Sequence, residues 1–193
     1  MSKYVTWKQI AEIIKIHFFT VCPIALIGLL IFAGVVTNPV GSVIFSVIAT
    51  LIYFFSLYDK ACYIAKRDKK SYTPEQPYIF KGVLLPLGLL VLSVIIYMLY
   101  FISWKYMSID GVIVGVSGWI NNFICIIWTF PFTGFMTLKN GYMSISGHLI
   151  VYLLPFAACF LGYLAGYKNY DITASISKFV YTSDKKGEKG EKK

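Results

Sequence analysis

Charge is what this chain lacks. Only 14% of its 193 residues are Asp, Glu, Lys or Arg, against about 25% in a soluble domain, so there is too little polar surface to face water. The deficit is concentrated, because Ile16–Tyr58, Gly82–Trp104, Gly111–Leu138 and Asn140–Tyr167 hold none of these residues at all. The chemistry-bearing motifs are missing too. There is no His-Glu-x-x-His, no Cys-x-x-Cys, no phosphate loop ending in Lys-Ser/Thr and no Gly-x-Ser-x-Gly, which removes the common routes to a metal, a phosphate or a nucleophilic serine. The nine acids all lie outside the centres of the apolar runs. That counts against a carrier working through an intramembrane carboxylate. The four cysteines, Cys22, Cys62, Cys125 and Cys159, are scattered singly and read as small buried hydrophobes. No cofactor or metal is expected, and the chain leans away from enzymes.

What is present is hydrophobic: 58% of residues, 18% aromatic, with a mean hydropathy of +0.68. Crossing a ~30 Å hydrocarbon core takes ~20 helical residues, and backbone groups in lipid must bond within their own segment, so such runs are helices. The cluster Val36-Thr37-Asn38-Pro39-Val40-Gly41 is a turn, since Pro and Gly punctuate and Asn bonds its own backbone. It divides the first run into spans over 16–36 and 40–58. Further spans are expected over 82–104 and 148–167. The first run is too long for a signal-peptide core and lacks a small-x-small cleavage site. Ahead of it, Thr6 to Gln9 has capping-box spacing. Trp7, Ile10, Ala11 and Ile14 share a face opposite Lys8, Glu12 and Lys15, which predicts a short interfacial helix.

Lysine placement sets orientation. Residues 1–15 hold three basic residues, Asp59 to Lys81 six and the stretch from Tyr167 onward seven; only Lys105 and Lys139 fall elsewhere. Basic segments stay cytoplasmic, so the N-terminus, the 59–81 loop and the tail are all placed inside, and the number of crossings must be even. Two segments compete for the last crossing. The 148–167 run is continuous, whereas 112–138 carries Asn121 and Asn122 near its middle and is broken by Pro131 and Gly134. The expected fold is therefore an all-α integral membrane protein with four transmembrane helices, N-in and C-in. Residues 112–138 form a re-entrant or outer-surface element before the last helix. Residues 1–182 make one membrane domain, and 183–193 is a basic, apolar-free tail expected to be disordered; Asp171 to Tyr181 reads as a short surface helix.

Four groups of residues stand out. Ala158, Gly162 and Gly166 recur every fourth residue, a smooth stripe that lets helices approach closely in lipid. The stripe packs either on this chain's own helices or on a second copy or partner subunit. Asn121, Asn122 and Pro131 form a candidate solute or packing site, because interrupted helices commonly build sites near the membrane midplane. Lys60, Lys66, Arg67, Lys69 and Lys70, mixed with tyrosines, suit anionic lipid headgroups at ~1 kcal/mol per basic residue; the positive-inside pattern explains them without nucleic acid. Asp59 and Asp68 read as solvated partners of those same bases.

The two histidines, His17 and His148, are expected at opposite interfaces with their polar tips in headgroups, too far apart to share a metal or a proton. Cys125 or His148 with Asp110 is the only outer-face group from which an enzyme could be assembled. The function expected first is a non-enzymatic membrane subunit or accessory protein associating through helix packing. A small-solute or ion transporter or channel component using 112–138 is second. Abundant Ile, Lys, Tyr and Phe fit a bacterial cytoplasmic membrane.

Overall fold

The computed structural model describes residues 7–35, 39–70, 77–109, 112–113, 115–132, 134 and 145–170. The expected surface helix over 171–181 and the basic tail 183–193 lie outside the described residues. Helices α1 (Trp7–Val35) and α2 (Pro39–Asp68) come first, then a single turn α3 (Lys81–Leu84) and α4 (Leu87–Met107). A two-residue antiparallel ribbon, β1 (Ser108–Ile109) with β2 (Val112–Ile113), pairs Ser108 with Ile113 and Ile109 with Val112. Helix α5 (Val116–Thr129) ends in a 3₁₀ turn, Phe130–Phe132, and α6 (Ile145–Tyr167) closes the described chain.

Three helical stretches are long and apolar enough to cross a membrane: Trp7–Gly28, Val40–Asp68 and Lys81–Ser103. Val116–Phe132 and Tyr152–Tyr167 are shorter apolar stretches. The bundle's outside is apolar as well: Phe19, Leu26, Ile48, Phe55, Val91, Met98 and Ile102 are all exposed. An outer face of that kind suits hydrocarbon rather than water.

Several boundaries differ from the sequence expectation, each for a physical reason. No break separates an interfacial helix from the first span; α1 is continuous over 29 residues, Pro23 included. Its buried stripe is also a different one. Trp7 is 85% exposed, whereas Gln9, Ile13, His17, Val21 and Ile24 are buried, a run at helical spacing of four and three that a purely hydrophobic reading skips. Helix α2 opens with Pro39, whose fixed φ suits a first helical position, and runs to Asp68. Here the structure follows the expectation that Asp59 to Lys70 continues the second helix: the helix runs on to Asp68, with Lys66 and Arg67 in its last turn, where cations favour the helix dipole. The third expected span is stepped at Leu85–Pro86 between α3 and α4, because proline offers no N–H to the preceding turn.

Side-chain pairings give the directions. Gln9 meets Asp68 and His17 meets Tyr53, so α1 and α2 are antiparallel. A Cβ on Gly162 would overlap the Tyr58 carbonyl and one on Gly166 the Cys62 carbonyl, so α6 runs parallel to α2. Asn121 meets Ser103 and Trp128 meets Ser93, so α5 folds back antiparallel on α4. Gly88 of α4 lies against Ile10 and Ile14 of α1. Helices α1 and α4 therefore ascend and α2 and α6 descend, with α5 tucked beside α4. The core joining them holds Ile13, Val21, Tyr53, Leu57, Leu89, Trp128, Phe132 and Tyr163.

Candidate functional site

Helix α5 carries the feature on which the interior depends. Its 14 residues rise ~21 Å at 1.5 Å each, well short of a ~30 Å core. Near its start, Asn121 Nδ2 donates to Ser103 Oγ at 2.8 Å, which gives a polar side chain a partner inside the bundle. Two turns on, Trp128 Nε1 donates to Ser93 Oγ at 2.8 Å. The chain then reverses. Thr50 Oγ1 donates to the Pro131 carbonyl at 3.2 Å, and three residues later the Gly134 N–H donates to Ser46 Oγ at 2.7 Å. Between Pro131 and Gly134 the chain thus steps back one turn toward the start of α2. A Cβ on Gly134 would overlap the Ser42 carbonyl, so only glycine lets the return strand lie this close. Phe130 fills the notch left by Gly28 and packs with Ile24, Ala25 and Ala49.

This reversal delivers Trp128 to His17. The two rings are 4.1 Å apart between centroids, and His17 Nδ1 is 2.9 Å from the Tyr53 hydroxyl. His17 is 3% exposed. The expected position, with the imidazole tip among headgroups, is therefore wrong: the ring points into the bundle along the α1 stripe. Its other nitrogen, Nε2, is the one buried side-chain polar atom without a hydrogen-bond partner among the described residues. Beside it lies a small cavity lined by His17, Tyr53, Ser93, Trp128, Phe132 and Tyr152, among others, with about 10 Å³ open to a water centre. That is room for about one water.

A second polar site closes the end of the bundle where α1 begins. Asp68 Oδ2 accepts from Lys81 Nζ at 2.7 Å and from the Tyr163 hydroxyl at 3.1 Å, while Oδ1 accepts from Gln9 Nε2 at 2.8 Å. The Lys81 and Asp68 side chains are 1% and 0% exposed. Here too the sequence expectation fails. Asp68 is buried rather than solvated, and Lys81 is not a loop cation; residues of α1, α2, α3 and α6 meet at the pair. Glu12 makes a third, shallower cluster, 2.9 Å from Lys60 Nζ and 2.8 Å from Arg67 Nη1.

The expected site residues fall as follows. Ala158, Gly162 and Gly166 are buried, the two glycines directly against α2 of the same chain, so the stripe is occupied internally. Asn121 and Pro131 join the re-entering segment to α4 and α2, whereas Asn122 is half-buried. Of the five bases assigned to lipid, Lys60 and Arg67 pair with Glu12, and Lys69 donates to the Tyr167 carbonyl and to Asn169. Lys66 is half-buried and Lys70 exposed. Cys125 is buried within α5; Asp110 lies outside the described residues, and the His148 side chain is likewise undescribed. Among the described residues no three His, Cys, Asp or Glu side chains are grouped to hold a metal. The sequence reading missed Gln9, Tyr53, Ser93, Lys81 and Tyr163. For Gln9 a signal existed, its four- and eight-residue spacing from Ile13 and His17. No family model, no curated protein and no solved structure matches the chain.

Proposed function

We propose that this chain is a four-crossing protein of a bacterial cytoplasmic membrane, with both ends in the cytosol, that works as a small-solute or ion transport component. The reading is supported first by direction. Two ascending and two descending helices return the chain to its starting side, the even count that lysine placement demands. Although part of α6 lies outside the described side chains, its 23 residues at 1.5 Å each cover ~34 Å, enough for a fourth crossing, whereas α5 is too short. The described part of 112–138, residues 112–113, 115–132 and 134, then enters from the outer side and turns back toward it at Gly134; residues 135–138 lie outside the described ones.

The observation that carries the functional part is the turn at Phe130–Phe132, which brings Trp128 against His17 and Ser93 inside the bundle. Broken helices that expose polar groups at depth are the form transport sites take, and irregular backbone is tolerated there only under protein cover. The alternative, an accessory subunit associating through helix packing, loses its motive because α2 of the same chain covers the small-residue stripe. Lys8 and Lys15, exposed near the start of α1, suit anionic headgroups at ~1 kcal/mol each; Lys60 and Arg67, held by Glu12, contribute less.

Two experiments test this. In a cysteine-free background on intact cells, an impermeant maleimide should label a cysteine at position 139 and spare one in the tail. Labelling of the tail overturns the four-crossing arrangement. Purified protein in liposomes should pass protons or small solutes, with Asn121→Leu reducing the rate. Absence of flux across a broad solute panel overturns the transport reading.

A further inference from the structure

We propose that His17 is a proton-binding site in the middle of the bundle, its Nε2 loaded through the water-sized cavity that it shares with Ser93 and Trp128. The inference rests on the transport reading above and names its ion.

Four observations carry it. His17 is an imidazole 3% exposed, and one of its nitrogens is left without a partner while every other buried side-chain polar atom among the described residues has one. Native interiors rarely leave such an atom unpaired, since doing so costs ~1–3 kcal/mol; where one is kept, a functional reason is to be sought. The ring that carries this atom lines a cavity of about 10 Å³, about the room of a single water or hydronium. The other nitrogen is fixed, 2.9 Å from the Tyr53 hydroxyl, so the ring's orientation is set before any ligand arrives. Finally, imidazole is the one side chain whose ordinary titration lies near neutrality.

The surroundings of the ring decide what it can take. The titratable groups facing it are Tyr53 from α2 and Tyr152 from α6; Ser93 from α4, Trp128 from α5 and Phe132 from the turn also line the cavity, and among the described residues no carboxylate or ammonium does. With Nδ1–H donating to the Tyr53 oxygen, Nε2 presents a lone pair to the cavity. A hydronium there hands one proton to Nε2 and leaves as water; release is the reverse. The imidazolium so formed has no buried anion to hold it permanently. It lies instead against the Trp128 ring at 4.1 Å, within the distance at which an aromatic face stabilises a cation by ~0.5–2 kcal/mol. That support is too weak to trap a proton, which is what a site that must both load and unload requires. Asp68 and Lys81, by contrast, neutralise each other at 2.7 Å and have no charge to spare for an ion in transit.

The test uses the full chain in lipid nanodiscs with ¹⁵N-labelled histidine and buffered protons as the only ligand. His148→Asn leaves His17 as the single reporter. The expected result is one titration of the His17 ring nitrogens from neutral to imidazolium, the protonated-to-neutral ratio changing about tenfold per pH unit. A parallel fall in Trp128 emission should occur when Trp7, Trp104 and Trp119 are replaced by Phe, and should vanish in His17→Gln. Ring shifts that stay neutral from pH 4 to 9, in protein whose helical circular dichroism is intact, overturn the proposal. So does a titration that leaves Trp128 unchanged. A titrating His17 in liposomes that carry no proton current upholds this site while removing the transport reading, so the two failures are distinct.

Discussion

Replacing Lys81 with methionine keeps the length and most of the volume of the side chain while removing its charge. In the folded protein this takes the ammonium from Asp68, 0% exposed, whose carboxylate also accepts from the Gln9 amide and the Tyr163 hydroxyl. Two neutral donors do not offset the desolvation of a carboxylate, and breaking a buried pair from one side costs about 3–5 kcal/mol. For a chain of this size each kcal/mol moves the melting midpoint by roughly 2–4 °C, so Lys81→Met should melt roughly 6–20 °C below the parent in the same detergent. The double variant Asp68→Leu/Lys81→Met removes both charges and puts apolar volume in their place; it should recover most of that loss, since apolar replacement of a whole buried pair is often neutral. Thermal unfolding followed by size-exclusion fluorescence at one heating rate ranks the three proteins, and ranking suffices where unfolding is irreversible. If the single and double variants melt together, the carboxylate is not isolated by loss of the lysine, and the account of that end of the bundle is wrong.

Gly162→Leu should lower the midpoint by the equivalent of about 1–3 kcal/mol or more, because its side chain meets the Tyr58 backbone rather than a yielding side chain; a melt like the parent's would mean that α2 and α6 are not in contact. Arg67→Ala should cost less than ~1 kcal/mol, and less again in high salt, since Lys60 remains to pair with Glu12 and the cluster is partly exposed; comparing melts at low and high salt checks it. Ser93→Ala strands the Trp128 indole N–H and should cost ~1–3 kcal/mol, whereas adding Trp128→Phe removes the orphaned donor, so a double-mutant cycle should show coupling between the two positions. Additive losses would place the serine–indole bond in doubt.

What could be read from the sequence was what periodicity and charge density encode. Four long helices follow from charge-free runs; α2 begins at Pro39, within the 36–41 cluster expected to be a turn, whose residues 36–38 lie outside the described ones. The continuation of α2 past the apolar run to Asp68 was legible too, because lysines and arginine in a last turn are favoured there. The step at Pro86 was not marked. Nor was the length of α1, whose first two turns mix polar and apolar residues in a pattern that serves equally for a helix on the lipid surface and for one entering the bundle. Only contact with α2, which pairs Gln9 with Asp68 and Glu12 with Arg67, distinguishes them.

The interior sites illustrate why the rest was hidden. Lys81 and Asp68 are 13 residues apart in the chain and look alike on paper to the solvated charges beside them; what buries them is Tyr163, 95 residues from Asp68. His17 sits two residues beyond Lys15, and proximity to a charge suggested the headgroup level. Yet a helix turns 100° per residue, so Lys15 and His17 face different ways: Lys15 is exposed and His17 buried. A charge on one face says little about burial on the other. Proline alone does not mark a break, since Pro23 and Pro155 lie inside continuous helices; Pro131 instead sits in the 3₁₀ turn that ends α5. A helix of 14 residues that ends among buried side chains must have its last carbonyls and the N–H groups beyond them met by protein. Thr50, Ser46 and Ser93 on the neighbouring helices supply the polar groups at that level. Hydroxyls at 46 and 50 on α2, bonded to the Gly134 N–H and the Pro131 carbonyl, are thus the trace that a chain turning inside the bundle leaves on the helix beside it.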